Sequence, residues 1–205
     1  MTKSKGIEKD LAAILVESGA LTFGKFKLSS GKLSTYYLDL RVLPSRPQAF
    51  NRVIEAYSVA IKGVNGAVDI IGGVPTSGLT FATALAYSLA KPMIYVRDKK
   101  KSYGKSKKIE GVLTPGSNVI LIDDLVTSGA SIISAAEAIR DEGGLVKECI
   151  VLIDREEGAQ KNLLRSSIRL HSISTISTIA TQLHESGHID RNKMSAILRE
   201  TQGSN

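Results

Sequence analysis

The stretch Val119-Ile-Leu-Ile-Asp-Asp-Leu-Val-Thr-Ser-Gly-Ala-Ser131 sets two adjacent carboxylates directly after four aliphatic residues. A short, continuous aliphatic run reads as a strand buried on both faces, the pattern of a parallel sheet. The small residues Thr127 to Ser131 then feed a helical pattern from Ala130 to Glu142, closed by Gly143-Gly144. In open α/β sheets, ligands sit outside the carboxyl ends of strands. Asp123 and Asp124 fall at such an end.

Outward from this unit the same rhythm repeats. Val68 to Ile71 reads as a strand, Gly72 to Gly78 as a loop and Leu79 to Ala90 as a helix. Met93 to Arg97 and Glu148 to Ile153 read as strands, and a helix near Gln160 to Arg165 leads into a further strand at Ile168 to Ser172. Upstream, Ile7, Leu11, Ile14 and Leu15 share a helical face closed by Gly19. Phe23 to Leu40 reads as short strands around Ser30-Gly31, and Pro47 opens a helix with an apolar stripe that ends at Gly63. Strands alternating with helices predict one α/β domain over residues 1–205, with a mainly parallel sheet flanked by helices. About residues 1–45 contribute a small N-terminal lobe.

The composition fits that architecture. The 205 residues are 42% hydrophobic and 23% charged, ordinary values for a globular protein. No apolar run approaches the roughly 20 residues that span a bilayer. Ile7-Glu-Lys-Asp10 stands where a secretory signal would carry its apolar core, and the single Cys149 has no internal partner. A cytoplasmic protein without a membrane partner is expected. The net charge of +7 is concentrated in residues 97–108, where seven cations face Asp98 alone and leave +1 for the rest. Such a segment suits a polyanionic small molecule, a nucleic acid or simply solvent.

The opening stretch has a chemistry of its own. A loop of small residues entering a helix N-terminus cradles phosphate, because unpaired N–H groups and the helix dipole both favour an anion. Two carboxylates beside it would repel the phosphate unless sugar hydroxyls or Mg²⁺ intervene. Helix capping by Thr127 or Ser128 beside solvated acids is the simpler account. The pairing of acids, loop and distant basic segment points instead to a phosphorylated sugar bearing further phosphate.

Val119 to Ser131 resembles the phosphoribosyl pyrophosphate (PRPP) signature of type I phosphoribosyltransferases. Three more segments resemble the orotate phosphoribosyltransferases: Phe23 to Tyr37, Arg97 to Gly104 with Ile109-Glu-Gly111, and Asp154-Arg-Glu-Glu-Gly158 with Leu170 to Ile176. The last is similar to the first half of bifunctional UMP synthases. The resemblance runs in order over about residues 7 to 190. It implies a type I phosphoribosyltransferase fold with an N-terminal hood, and transfer of phosphoribosyl from PRPP to orotate in UMP synthesis.

Carried over residue by residue, Asp123 and Asp124 hold the ribose diol and its metal complex. Leu125, Val126, Thr127, Ser128, Gly129, Ala130 and Ser131 enclose the 5′-phosphate, and Thr127 and Arg155 contact orotate. A guanidinium fork suits the orotate carboxylate; a surface ion pair with Glu156 or Glu157 is the alternative for Arg155. Gly72 to Gly78 matches the pyrophosphate loop, and Ser29, Tyr36 and Tyr37 lie near the orotate-facing segment. Arg97, Lys101 and Tyr103 serve the pyrophosphate, with Lys101 catalytic on a mobile lid. Asp98 departs from the family pattern, which has Lys there. Either Lys99 or Lys100 replaces it, or pyrophosphate binding is weaker.

The resemblance further implies Mg²⁺ bound mainly through PRPP with no protein metal site, and a homodimer whose basic loop reaches the neighbouring site. Association with orotidine 5′-monophosphate decarboxylase would follow from the likeness to UMP synthase. No nucleic-acid partner is expected. A transferase for another base and a non-catalytic PRPP sensor remain the alternatives. His184-Glu-Ser-Gly-His188 spells a zinc-protease pattern, but Gly187 should break the helix it needs.

Overall fold

The computed structural model describes residues 2–27, 31, 33–64, 66–97 and 108–202. Ser29 and residues 98–107, among them Asp98, Lys99, Lys100, Lys101 and Tyr103, lie outside the described residues.

Helix α1 (Thr2–Glu17) precedes a two-stranded antiparallel sheet of β1 (Leu21–Lys27) and β2 (Leu33–Leu38). A 3-10 turn, Leu40–Ser45, leads to α2 (Pro47–Lys62), which starts at Pro47 and is capped by Gly63 as the sequence predicts. The main sheet then forms from β3 (Ile70–Gly73), β4 (Met93–Val96), β5 (Ile109–Glu110), β6 (Asn118–Val126), β7 (Leu145–Asp154) and β8 (Arg169–Thr175). Its order is β5-β4-β3-β6-β7-β8, parallel throughout except the β4–β5 pair. The remaining helices are α3 (Gly78–Ser88), α4 (Ala130–Asp141), α5 (Ala159–Arg165), α6 (Ile176–Glu185) and α7 (Arg191–Gln202). No helix is long and apolar enough to cross a membrane among the described residues.

Strand alternation divides the core in two. Ile120, Ile122, Ile150 and Leu152 pack with Tyr57, Phe81 and Ile179 on one face. Val119, Leu121, Cys149 and Val151 pack with Ile132, Ile139 and Leu163 on the other. Both faces are covered, and that is why these strands read as unbroken aliphatic runs.

Among the boundaries that differ from the sequence expectation, two bear on the cleft. Strand β6 continues through both acids to Val126, because Asp123, Leu125 and Val126 remain paired with Val151, Ile153 and Asp154 of β7. The hydrophobic run ends at Ile122, but the backbone ladder does not. Gly72 and Gly73 belong to β3 rather than to a loop. A Cβ at Gly72 would come within 2.9 Å of Leu121 and Val119, and one at Gly73 within 2.9 Å of Leu79. These glycines allow close packing, and the loop proper shrinks to residues 74–77.

Candidate active site

Asp123 and Asp124 are buried, 8% and 5% exposed, at the carboxyl end of β6. Asp123 Oδ1 accepts from the Asp124 amide at 2.9 Å, and Asp124 Oδ1 accepts from the Leu125 amide at 2.9 Å. The acids are therefore aimed by local backbone bonds. Burial, and then the charge of Asp124, push the Asp123 carboxyl well above the usual carboxylate range.

The chain next turns through Gly129, whose φ of 84° places it in the left-handed region as the N-terminal cap of α4. Glycine is required there twice over, since a Cβ would also meet Leu163 at 3.0 Å. No side chain caps α4, so Thr127 and Ser128 do not act as caps. Its N-terminal amides are left without a side-chain cap.

A cleft of about 300 Å³ gathers these parts. Its floor is Asp123 to Ile132, so the predicted residues Asp123, Asp124, Leu125, Val126, Thr127, Ser128, Gly129, Ala130 and Ser131 all line it. Leu38 to Arg41 form one wall, with Pro75 and Ser77 on another. A second cleft of about 340 Å³ shares Pro75, Ala130 and Ser131 with the first and is lined by Arg97 and Lys108. Arg97 pairs with Glu110 at 3.0 Å. Its amide donates to the Lys108 carbonyl at 2.8 Å, so the two ends of the basic segment are tied together at the cleft rim.

Arg155 follows β7, with its amide donating to Val126 O at 3.0 Å. Its side chain is only 13% exposed, stacks 5.3 Å from the Tyr36 ring centroid and lies 3.0 Å from Glu157. That contact is an ion pair without hydrogen-bond alignment at Nε. Arg155 is not among the residues lining either cleft. Tyr36 is core, 2% exposed, whereas Tyr37 is 39% exposed and stacks on Phe26.

The sequence reading missed several contributors. Asp39 and Arg41 line the cleft as an ion pair, with Arg41 Nε 2.6 Å from Asp39 Oδ1. This pairing with Arg41 holds the Asp39 carboxyl below the usual range. Asp39 also accepts from the Arg41 amide at 3.1 Å, a local turn that the Asp-x-Arg spacing could have signalled. Tyr57 reaches the site from a distant segment and carries no such signal, whereas Ser77 falls within the Gly72 to Gly78 loop that the sequence singles out. The zinc-like pattern dissolves: α6 ends at Glu185, and Gly187 has φ 77°. His184 meets Ile189 O while His188 meets Ser186 Oγ.

Among the described residues no cluster of three or more His, Cys, Asp or Glu is placed to hold a metal. The adjacent hard oxygen donors Asp123 and Asp124 nonetheless fit Mg²⁺, which keeps most of its shell from water and substrate phosphates.

Known proteins resemble this chain in sequence and fold. A profile described as the phosphoribosyl transferase domain matches residues 44–183. The orotate phosphoribosyltransferase of Sulfolobus acidocaldarius is 40% identical over 188 residues, 92% of this chain and 94% of that relative. The solved orotate phosphoribosyltransferase of Aeropyrum pernix superposes with a TM-score of 0.76 at 35% identity, covering 88% of this chain and 99% of that one. The UMP synthase of Leishmania donovani gives a TM-score of 0.86 at 30% identity over 97% of this chain. The match covers 43% of the UMP synthase, so this chain spans less than half its length. Profile, sequence relatives and superposition agree over most of the residues that build the cleft, and the chain belongs to the phosphoribosyl transferase family, within it to the orotate phosphoribosyltransferases.

Proposed function

We propose that this chain, acting as one catalytic domain with residues 1–45 as a hood, transfers the phosphoribosyl group of PRPP to N1 of orotate. The products are orotidine 5′-monophosphate and pyrophosphate. One observation carries the reading: two buried carboxylates run directly into an uncapped helix N-terminus on a single cleft floor. A ribose 5-phosphate presents a diol to the first and a dianion to the second.

The ribose hydroxyls donate to Asp123 and Asp124, while amides and hydroxyls of residues 127–131 hold the 5′-phosphate. No protein nucleophile is needed. As the C1–O bond loosens, the carboxylates stabilise positive charge growing on the ribose, and Arg97, Lys101 and Tyr103 stabilise negative charge on the leaving group. Bound Mg²⁺, held mainly by the substrate, supplies further charge neutralisation there. Thr127 and Arg155 orient orotate, the guanidinium against its carboxylate.

The Arg97–Lys108 bond supports residues 98–107 as a lid that excludes water. In a cytoplasmic homodimer that lid would reach the neighbouring site. Similarity to part of a UMP synthase supports an orotidine 5′-monophosphate decarboxylase as the next enzyme. The test is pyrophosphate release from PRPP and Mg²⁺ with orotate, uracil, adenine or hypoxanthine. Release with orotate alone is expected. Release with another base overturns the substrate, and release with none overturns the transferase.

A further inference from the structure

The carboxylate of Glu200, near the end of α7, reaches across to the outer edge of β2. Glu200 Oε1 accepts from the Thr35 amide at 2.8 Å and from the Thr35 hydroxyl at 2.7 Å. The Ser34 hydroxyl lies 2.8 Å from both Glu200 Oε2 and the Tyr36 carbonyl, so its one proton is shared between them. These contacts join segments 165 and 166 residues apart. They satisfy a backbone donor on a sheet that has two strands among the described residues.

The helix grips this sheet elsewhere too. Ile197 is buried in the main core, and Lys193 Nζ sits 6.0 Å from the Phe23 ring of β1. Strand β2 is short, and a register shift in β1 lies between Phe23 and Phe26, which pair with Tyr36 and Ser34. The strand's own ladder is thus irregular where Glu200 holds it. The next residue along, Tyr36, turns its ring under the Arg155 guanidinium at 5.3 Å.

We propose that Glu200 is a positioning residue for base recognition, pinning β2 so that Tyr36 holds Arg155 in the orientation that receives the orotate carboxylate. The inference rests on the assignment of Arg155 to orotate made above. A carboxylate suits this role better than an amide, because it accepts from several donors at once and charge-assisted bonds are the stronger ones. The Arg155 guanidinium is more than a surface charge here. With its side chain mostly buried and no aligned hydrogen bond at Nε, it depends on ring stacking and on Glu157 for its direction.

The test uses the full chain with Glu200→Ala, Glu200→Gln and Thr35→Val, the last removing one donor while keeping shape. Steady-state KM for orotate, KM for PRPP and kcat are measured beside Tm and hydrogen exchange at the Thr35 amide. Glu200→Ala should raise KM for orotate by roughly tenfold, the size expected from losing bonds to a charged group, with KM for PRPP nearly unchanged. Glu200→Gln and Thr35→Val should give smaller rises in the same parameter, and Thr35 exchange should quicken in both Glu200 variants. An unchanged KM for orotate overturns the proposal. So does a parallel loss in both KM values and kcat, which is what a purely structural strap would give. If the unsubstituted chain shows no orotate-dependent turnover, the parent reading itself fails and the role of Glu200 goes with it.

Discussion

The hydroxyl of Tyr57 donates a 2.6 Å hydrogen bond to the backbone carbonyl of Asp123. Tyr57 is fully buried on the apolar stripe of α2, 66 residues upstream. Burial raises its phenol well above the ordinary range, with the charges of Asp124 and Asp123 adding to the effect. The ring therefore stays protonated and always donates. It anchors the strand end that aims both carboxylates into the cleft.

Tyr57→Phe should leave that carbonyl short of a partner while keeping the ring's packing against Phe81. The expected cost is about 1–3 kcal/mol of stability. Turnover should fall as well, since Asp123 loses its fixed position. Thermal unfolding and kcat, measured together, check this. An unchanged kcat would mean that the local bonds of Asp123 and Asp124 suffice.

Asp123→Asn should make the free protein more stable at neutral pH and less active. Burial and Asp124 favour the protonated Asp123 carboxyl in the folded state. Its contribution to stability is full below the unfolded value of roughly 3.9 and is lost as pH rises through the raised folded value. Asparagine removes that loss while its oxygen still accepts from the Asp124 amide. The gain in Tm should be clear at pH 7 to 8 and should shrink as pH falls towards 4. A destabilised variant at neutral pH would contradict the assigned direction.

Gly129→Ala should damage both fold and phosphate binding. A non-glycine residue in the left-handed region costs about 1 kcal/mol or more, and the new Cβ would sit 3.0 Å from Leu163. Relief would require the start of α4 to shift away from its cradle position. KM for PRPP should rise while KM for orotate moves less.

Lys101→Ala should reduce turnover on the order of 10²-fold with little change in orotate affinity, as expected for charge stabilisation confined to the transition state. Equal losses in both quantities would count against a lid that closes over the leaving group. Arg97→Ala, at the described root of the same segment, should show the same pattern more weakly because it is partly engaged by Glu110.

Local sequence determined the element types. Aliphatic runs such as Val119 to Ile122 and Glu148 to Ile153 mark strands because both faces of the sheet are covered. Pro47, Gly63, Gly129 and Gly143 mark helix ends because backbone geometry there depends on a single residue. The acid pair and the small-residue loop were legible for the same reason: their chemistry is contiguous in the chain. Tertiary structure alone decided where β6 ends, since pairing with β7 carries it past the last aliphatic residue to Val126. It also decided that Gly72 and Gly73 pack within β3, that Asp39 and Arg41 wall the cleft, and that Tyr57 and Glu200 fix segments 66 and 165 residues away. Such contacts leave no periodicity or spacing in the sequence, because each depends on two segments meeting only after the sheet has formed.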